Sequence, residues 1–248
     1  MEKRGQVSIF IIVAIVIVGI IVLLFLFPKV TVSSNEVNPS SYLKNCIEPA
    51  VSEIKIILSA QGGYAVPTNY LMYQGNKIQY LCYTSENYIP CSVQQPLLVK
   101  HIAEEMRAYI QPRARQCVQD LRKQYEQNGY TVQATPGEIN ISIATGSIVV
   151  DFISPMVISK EQNTQTYQRF AVAIDSSWYD LLSTATNIIE YESSLGDSDT
   201  NAYISYYPNL KIVKTRRDEG TVYALTDVTT KDTFTFASRS LVWPPGFT

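Results

Sequence analysis

The chain has 248 residues, with 22 acidic and 20 basic side chains and a formal net charge of −2. Residues 28–248 alone carry 18 basic and 21 acidic side chains, so they lack the basic surface that nucleic-acid-binding proteins need. Hydrophobic residues make up 46% of the chain and include 17 Tyr, a composition that excludes intrinsic disorder and is sufficient for a packed core.

The first feature along the chain is an apolar run from Val7 to Phe27, which only Ser8 and Gly19 interrupt. A helix of this length spans about 31 Å, close to the hydrocarbon thickness of a bilayer. The alternative is a cleaved secretory signal, but its apolar region has ~7–15 residues and ends at a small-residue cleavage site. Residues 25–29, Phe-Leu-Phe-Pro-Lys, provide no such site. We therefore predict that residues 1–28 are a retained transmembrane anchor.

Charged residues around the anchor indicate its orientation. Lys3, Arg4 and the terminal amine precede the apolar run, and only Lys29 closely follows it. Because positive charges accumulate on the cytoplasmic side, we expect a cytoplasmic N-terminus and an extracellular main domain. The sequon at Asn140 agrees with export and makes Asn140 a candidate glycosylation site. The predicted location is thus the cell membrane, with the lipid bilayer as a partner.

Residues 3–10, Lys-Arg-Gly-Gln-Val-Ser-Ile-Phe, resemble the processing site of archaeal class III signal peptides, which belong to the type IV pilin-like group. This resemblance implies cleavage between Gly5 and Gln6. The chain as a whole resembles membrane-anchored surface proteins of archaea. Where pilins carry a Glu that is thought to pair with a neighbouring subunit's amine, this chain has Phe10. We therefore favour an isolated tethered protein, with a filament subunit as the alternative.

Residues 29–39 are polar and predict a stalk. A helix is predicted from Ser40 or Ser41 to about Ala60, because apolar residues recur there at steps of three or four. Those residues are Leu43, Ile47, Val51, Ile54 and Leu58. Pro49 is expected to bend or separate its beginning.

The next predicted elements are a hairpin and a second helix. Aromatic and β-branched residues on both sides of Gly75-Asn76 predict the hairpin. The helix is predicted from Leu97 to Asn128, with a kink or break at Pro112. Residues 40–129 are thus predicted to form a helix-rich subdomain.

Residues 130–248 are predicted to form a mainly β subdomain with one helix. Strands are predicted at 138–143, 147–153, 164–174, 211–215, 221–228 and 233–237, and the helix from Ser176 or Ser177 to Gly196. Helices and strands occur in blocks, so the predicted class is α+β, with antiparallel sheet and three or four helices after the anchor.

The four cysteines all lie outside the anchor, and no pair has the short spacing of a zinc ribbon or a redox motif. Cys46 and Cys117 each lie on the apolar face of a predicted helix, and Cys82 and Cys91 border a polar loop. We predict the disulfides Cys46–Cys117 and Cys82–Cys91. Four buried free thiols are the alternative, and a metal site is the least favoured arrangement.

The remaining polar residues form no recognisable catalytic, cofactor or metal site. His101 is the single histidine, and no nucleophile motif accompanies it. Asp197, Asp199 and Asn201 resemble the start of a calcium loop, but Ala202 and Pro208 replace its later Gly and Glu, so a polar turn is favoured.

The tyrosines at positions 203, 206 and 207 fit either an adhesive surface or, as we favour, an edge of the core. The sequence therefore predicts a non-enzymatic cell-surface protein without cofactor. It is expected to act through contacts with its own copies or with another surface protein. The alternatives are a filament subunit and an extracytoplasmic enzyme or ligand-binding protein whose site residues are far apart in sequence.

Overall fold

The computed structural model of the protein describes residues 16–18 and 38–240. Residues 16–18 are helical, and the rest of the predicted anchor, the predicted cleavage site Gly5–Gln6 and Phe10 lie outside the described residues. Within the described residues, no helix has the length and apolar character required to cross a bilayer. The chain divides into two compact units, Met1–Glu36 and Val37–Thr248, and the elements below belong to the second.

Residues 38–240 contain four helices: α1 (Pro39–Ala60), α2 (Leu98–Gln127), α3 (Trp178–Leu195) and α4 (Thr200–Tyr206). The first three match the predicted helices. Asn38, rather than a serine, caps α1 by accepting a hydrogen bond from the Ser41 N–H at 3.1 Å. Pro49 and Pro112 are exposed, so water can hydrate the carbonyls that lose a partner. The predicted break at Pro112 is wrong, because α2 continues through it as one helix of 30 residues.

In the described part of the chain, twelve strands form three sheets. The largest has the order β1-β2-β12-β11-β10, with β3 also paired to β2, and the smaller sheets have the orders β4-β7-β8 and β5-β6-β9. The strands are β1 (Tyr70–Tyr73), β2 (Asn76–Tyr83), β3 (Ser92–Val93), β4 (Thr131–Ala134), β5 (Glu138–Ala144), β6 (Ser147–Ile153), β7 (Met156–Lys160), β8 (Asn163–Tyr167), β9 (Phe170–Asp175), β10 (Leu210–Arg217), β11 (Gly220–Asp227) and β12 (Thr233–Arg239).

The α+β class is confirmed, but two details of the predicted β structure are wrong. All described strand pairs are antiparallel except β2 with β12, which run parallel in the register Ala237↔Tyr80. The predicted strand 164–174 is two strands, β8 and β9, which belong to different sheets. Strands β3, β4 and β7 and helix α4 were not predicted from the sequence.

The main core joins residues from α1, α2, α3 and all three sheets. The apolar stripe of α1 is almost completely buried, and α1 packs along α2, where Cys46 and Cys117 are bonded with Cα atoms 5.9 Å apart. After α1, Gly62 has a φ of +69°, and a Cβ there would lie 3.0 Å from Gln79 Cβ. This glycine lets the chain turn closely against β2.

Candidate functional site

An aromatic patch covers the end of α3 and the short helix α4; it consists of Tyr191, Leu195, Tyr203, Tyr206 and Tyr207. Tyr191 and Leu195 are exposed and one helical turn apart. Tyr206 is 82% and Tyr207 59% exposed, and both follow Tyr203 at helical spacing. Burial is the main cause of the raised pKa of Tyr203; a hydrogen bond with Ser198 lowers this pKa, and the neighbouring Tyr191 and Glu190 raise it. Tyr203 of α4 therefore lies near Tyr191 of α3.

This result differs from the expectation that the tyrosines at 203–207 form an edge of the core. Only Tyr203 is partly buried against the core, whereas Tyr206 and Tyr207 point into solvent. The cause is that α4 packs on β10, the outermost strand of the largest sheet, and none of the seven residues of α4 is buried. The alternative interpretation of these tyrosines, an exposed contact surface, fits the geometry.

Polar contacts hold α4 in place beside the sheet. The Asp199 carboxylate caps α4 by accepting a hydrogen bond from the Asn201 N–H at 3.0 Å. Asp197 forms ion pairs with Lys214 and with Arg216 of β10, the latter at 2.7 Å. These contacts use the carboxylates that resembled a calcium loop. In the described part of the chain, no three His, Cys, Asp or Glu side chains come together in a way that could hold a metal ion.

Glu192 lies beneath the patch and is the buried carboxyl group of α3, with only 3% of its surface exposed. Its Oε1 accepts hydrogen bonds from the Tyr223 hydroxyl and from the Ser198 N–H at 3.0 Å. Its Oε2 accepts one from the Ser238 hydroxyl at 3.2 Å. The carboxyl group thus joins α3 to β11, β12 and the turn that leads into α4.

Burial raises the pKa of Glu192 above its ordinary value, although the hydrogen bonds from Tyr223, Ser198 and Ser238 and the nearby Lys214 counteract this effect. Burial, and then the neighbouring Glu192, also raise the pKa of Tyr223, so this tyrosine remains a hydrogen-bond donor. Lys214 Nζ lies 5.4 Å from the centre of the Tyr223 ring and donates to the Ser198 carbonyl at 2.7 Å. This cluster was not predicted from the sequence, although Leu181, Ile188 and Glu192 share one helical face.

His101 is not arranged for catalysis. Its ring centre lies 4.1 Å from that of Tyr64, and its Nε2 lies 3.9 Å from a Glu105 oxygen, beyond hydrogen-bond distance. That nitrogen is buried and has no hydrogen-bond partner among the described residues. The other Glu105 oxygen accepts from the Ala65 N–H at 3.3 Å, so this group of residues connects α2 to the chain after α1 and presents no nucleophile.

A groove of about 580 Å³ is formed by the beginning of α2, by β5 and by α3. Its walls are mainly apolar, and neither His101 nor an acidic residue lines it. A second cavity, of about 380 Å³, lies between α1 and the strands β11 and β12. There Lys55 forms an ion pair with Asp232, which also accepts a hydrogen bond from the Ser177 N–H at the start of α3 at 2.9 Å. The ion pair and the hydrogen bond of Asp232 thus hold α1, α3 and the start of β12 together.

The predicted covalent sites have the following positions. The disulfides are Cys46–Cys117 and Cys82–Cys91, which are the predicted pairs, and no free cysteine occurs among the described residues. Such bonds indicate an extracellular or otherwise oxidising environment. Asn140 is exposed on β5.

No family model, no curated protein and no solved structure matches the chain.

Proposed function

We propose that the protein is a membrane-tethered cell-surface protein that acts by protein contact through the aromatic patch, without catalysis. The observation that carries this proposal is the exposure of Tyr206 and Tyr207 at the end of a helix that Asp199 caps and that the ion pairs of Asp197 with β10 hold to the domain. Tyrosine supplies a large contact area and a hydrogen-bonding hydroxyl with only two rotatable side-chain bonds, so little entropy is lost on binding. Tyrosine is accordingly enriched at protein interfaces.

The surroundings of the patch support contact rather than chemistry. The groove has no acidic residue or histidine in its walls, and the buried Glu192 has no open path to a substrate because 3% of its surface is exposed. The two disulfides agree with an external location. The apolar run from Val7 to Phe27 supplies the proposed tether.

Photo-crosslinking on intact cells tests this proposal. A benzophenone amino acid replaces Tyr207 in one variant and Tyr88 in a control variant. Tyr88 has nearly the same exposure, 58% against 59%, but lies in the loop between β2 and β3. We expect a discrete crosslinked protein from position 207 and none from position 88. Equal crosslinking at both positions, or none at 207, contradicts a specific contact at the patch.

A filament subunit is the second candidate function, and the pilin-like residues before the apolar run favour it. Cleavage after Gly5 leaves a charged amine at Gln6, and Phe10 provides no carboxylate to pair with it. An unpaired ammonium in hydrocarbon is unfavourable by several kcal/mol, which is why we propose the isolated tether. N-terminal sequencing with electron microscopy of surface material separates the two, because ordered filaments of this chain contradict our proposal.

A further inference from the structure

We propose that the groove between β5 and α2 binds an extended peptide that ends in a free carboxylate, and that this peptide pairs with the free edge of β5. The groove does not include the aromatic patch, so this inference does not depend on the proposed function. Its occupant is a segment of about four residues from another protein, and this segment spans ~13 Å as a strand.

The edge of β5, the outermost strand of its sheet, is unpaired. The Ile139 N–H donates to Gln111 Oε1 of α2 at 2.9 Å instead of to β6. Because alternate residues of a strand direct their main-chain groups to the same side, those of Ile141 and Ile143 also face away from β6. Within the described residues, these groups have no hydrogen-bond partner on that side.

The Gln111 side chain already completes part of this edge in the way that a neighbouring strand would. The Gln111 side chain accepts from the Ile139 N–H and donates to the Gly137 carbonyl at 3.2 Å, as a neighbouring strand does with its amide group. The contacts of Gln111 with the edge of β5 end where the groove begins. Ile141 and Ile143 line the groove. Main-chain N–H and C=O groups form hydrogen bonds wherever a partner is available, and an added strand provides partners for both residues.

The two walls of the groove differ in polarity. Leu97, Val99 and Ala103 form an apolar wall, and Ser183, Thr186 and Asn187 form a polar one. Successive side chains of an extended peptide point in opposite directions. A strand on β5 therefore presents alternate side chains to surfaces of matching polarity, as peptides that add to a sheet edge do.

The groove is charged at one end, where α2 begins. No side chain caps its first turn and no acidic residue lies in that turn, which contains Lys100. Lys100 is the single charged residue lining the groove, and its ion pair with Glu104, at 4.0 Å, is exposed and therefore weak. The positive end of the helix dipole and Lys100 together favour a carboxylate there.

The positions of the contacts fix the direction of the peptide. Gln111 lies beside Ile139, whereas Leu97 and Val99 line the groove with Ile143, so α2 begins near the Ile143 end of β5. A peptide whose carboxylate lies at this end runs in the same direction as β5. The pairing is therefore parallel.

The test uses the full-length protein in detergent and a fluorescein-labelled pool of hexapeptides. Each peptide has the sequence Gly-Gly followed by four residues drawn from Val, Ile, Leu and Thr, with a free carboxylate. We expect saturable binding by anisotropy and slower hydrogen exchange at residues 139–144. Amidation of the C-terminus should weaken binding about tenfold or more. T186R, which fills the groove, should also weaken it about tenfold or more.

The control Q127R adds the same charge at the exposed end of α2 and should bind like the unmodified protein. N187W blocks the groove from an exposed position and serves if T186R fails to fold. Absence of binding at 1 mM pool, unchanged binding by both groove variants, or unchanged hydrogen exchange at residues 139–144 overturns the proposal. Equal binding of the amidated pool overturns the assignment of the carboxylate.

Discussion

Replacement of Glu192 by leucine should destabilise the domain severely. The change leaves the Ser198 N–H, the Tyr223 hydroxyl and the Ser238 hydroxyl without their acceptor in a buried site. Each buried donor without a partner costs about 1–3 kcal/mol, so the loss of the acceptor for three donors should lower the free energy of unfolding of E192L by about 3–9 kcal/mol. The variant E192Q keeps an acceptor for Ser198 and Tyr223 and should cost less than about 1.5 kcal/mol.

Comparison of E192Q with the wild type tests the raised pKa of Glu192. Because burial raises this pKa in the folded state, the folded protein binds the proton more tightly than the unfolded chain does. The resulting stabilisation is fully present below the unfolded pKa, about 4.3, and is lost as the pH rises through the folded pKa. In that window, stability changes by at most about 1.4 kcal/mol per pH unit. Glutamine does not titrate, so E192Q should lack this contribution.

Urea denaturation of Val37–Thr248, followed by tyrosine and tryptophan fluorescence between pH 4 and 7.5, measures both effects. The difference between wild type and E192Q isolates Glu192, because every other titrating group is shared by the two proteins. We expect this difference to move in favour of E192Q as the pH rises. A difference that stays constant across this range, or E192L within 1 kcal/mol of wild type, refutes the reasoning about the buried carboxyl group.

Two further changes test the covalent bonds and the close approach of the chain at β5. Removal of Cys46–Cys117 by alanine substitution should lower the free energy of unfolding by about 4 kcal/mol, and removal of Cys82–Cys91 should lower it by about 3 kcal/mol. The longer loop costs more because the sequence separations are 71 and 9. Urea denaturation of each variant measures the two losses. Gly137→Ala should cost about 3 kcal/mol or more, because its Cβ would lie 1.7 Å from a carbonyl oxygen of β6; the thermal unfolding midpoint measures this loss.

Each of these changes has a control. The reduced wild-type protein should resemble the variant that lacks both disulfides, and equal costs for the two bonds contradict the chain-entropy explanation. Gly146→Ala places a Cβ in open space, so its cost should be limited to that of a positive φ, about 1 kcal/mol. If Gly137→Ala costs no more than Gly146→Ala, the close approach to β6 is not as described.

The elements that the sequence predicted best are those whose signals are local. The apolar stripe of α1, with Leu43 and Leu58 near its ends, repeats at helical spacing over 22 residues, and a turn with Gly75 joins β1 to β2. The two disulfides also followed from local features, because Cys46 and Cys117 lie on apolar helix faces. Short elements such as α4 have too few residues to show a period.

The missed features depend on residues far apart in the chain. The parallel pairing of β2 with β12 joins Tyr80 to Ala237, and no local pattern encodes it. Strands β8 and β9 read as one run of β-branched and aromatic residues, and only the packing of separate sheets divides them. Glu192 lay in a polar segment and was not considered buried. Its position on the apolar face of α3 was a usable signal, but its partners Tyr223 and Ser238 could not be identified before folding.

The buried carboxyl group and the aromatic patch form one mechanical arrangement. A helix of seven residues such as α4 is not stable alone, so its position depends on tertiary contacts. Glu192 accepts the Ser198 N–H just before α4, and Asp197 binds β10 in the same turn. Tyr206 and Tyr207 therefore project from a support fixed on both α3 and the sheet. In the proposed contact function, such a support lowers the entropy lost on binding, which gives a physical reason for burying a carboxyl group beneath the proposed contact surface.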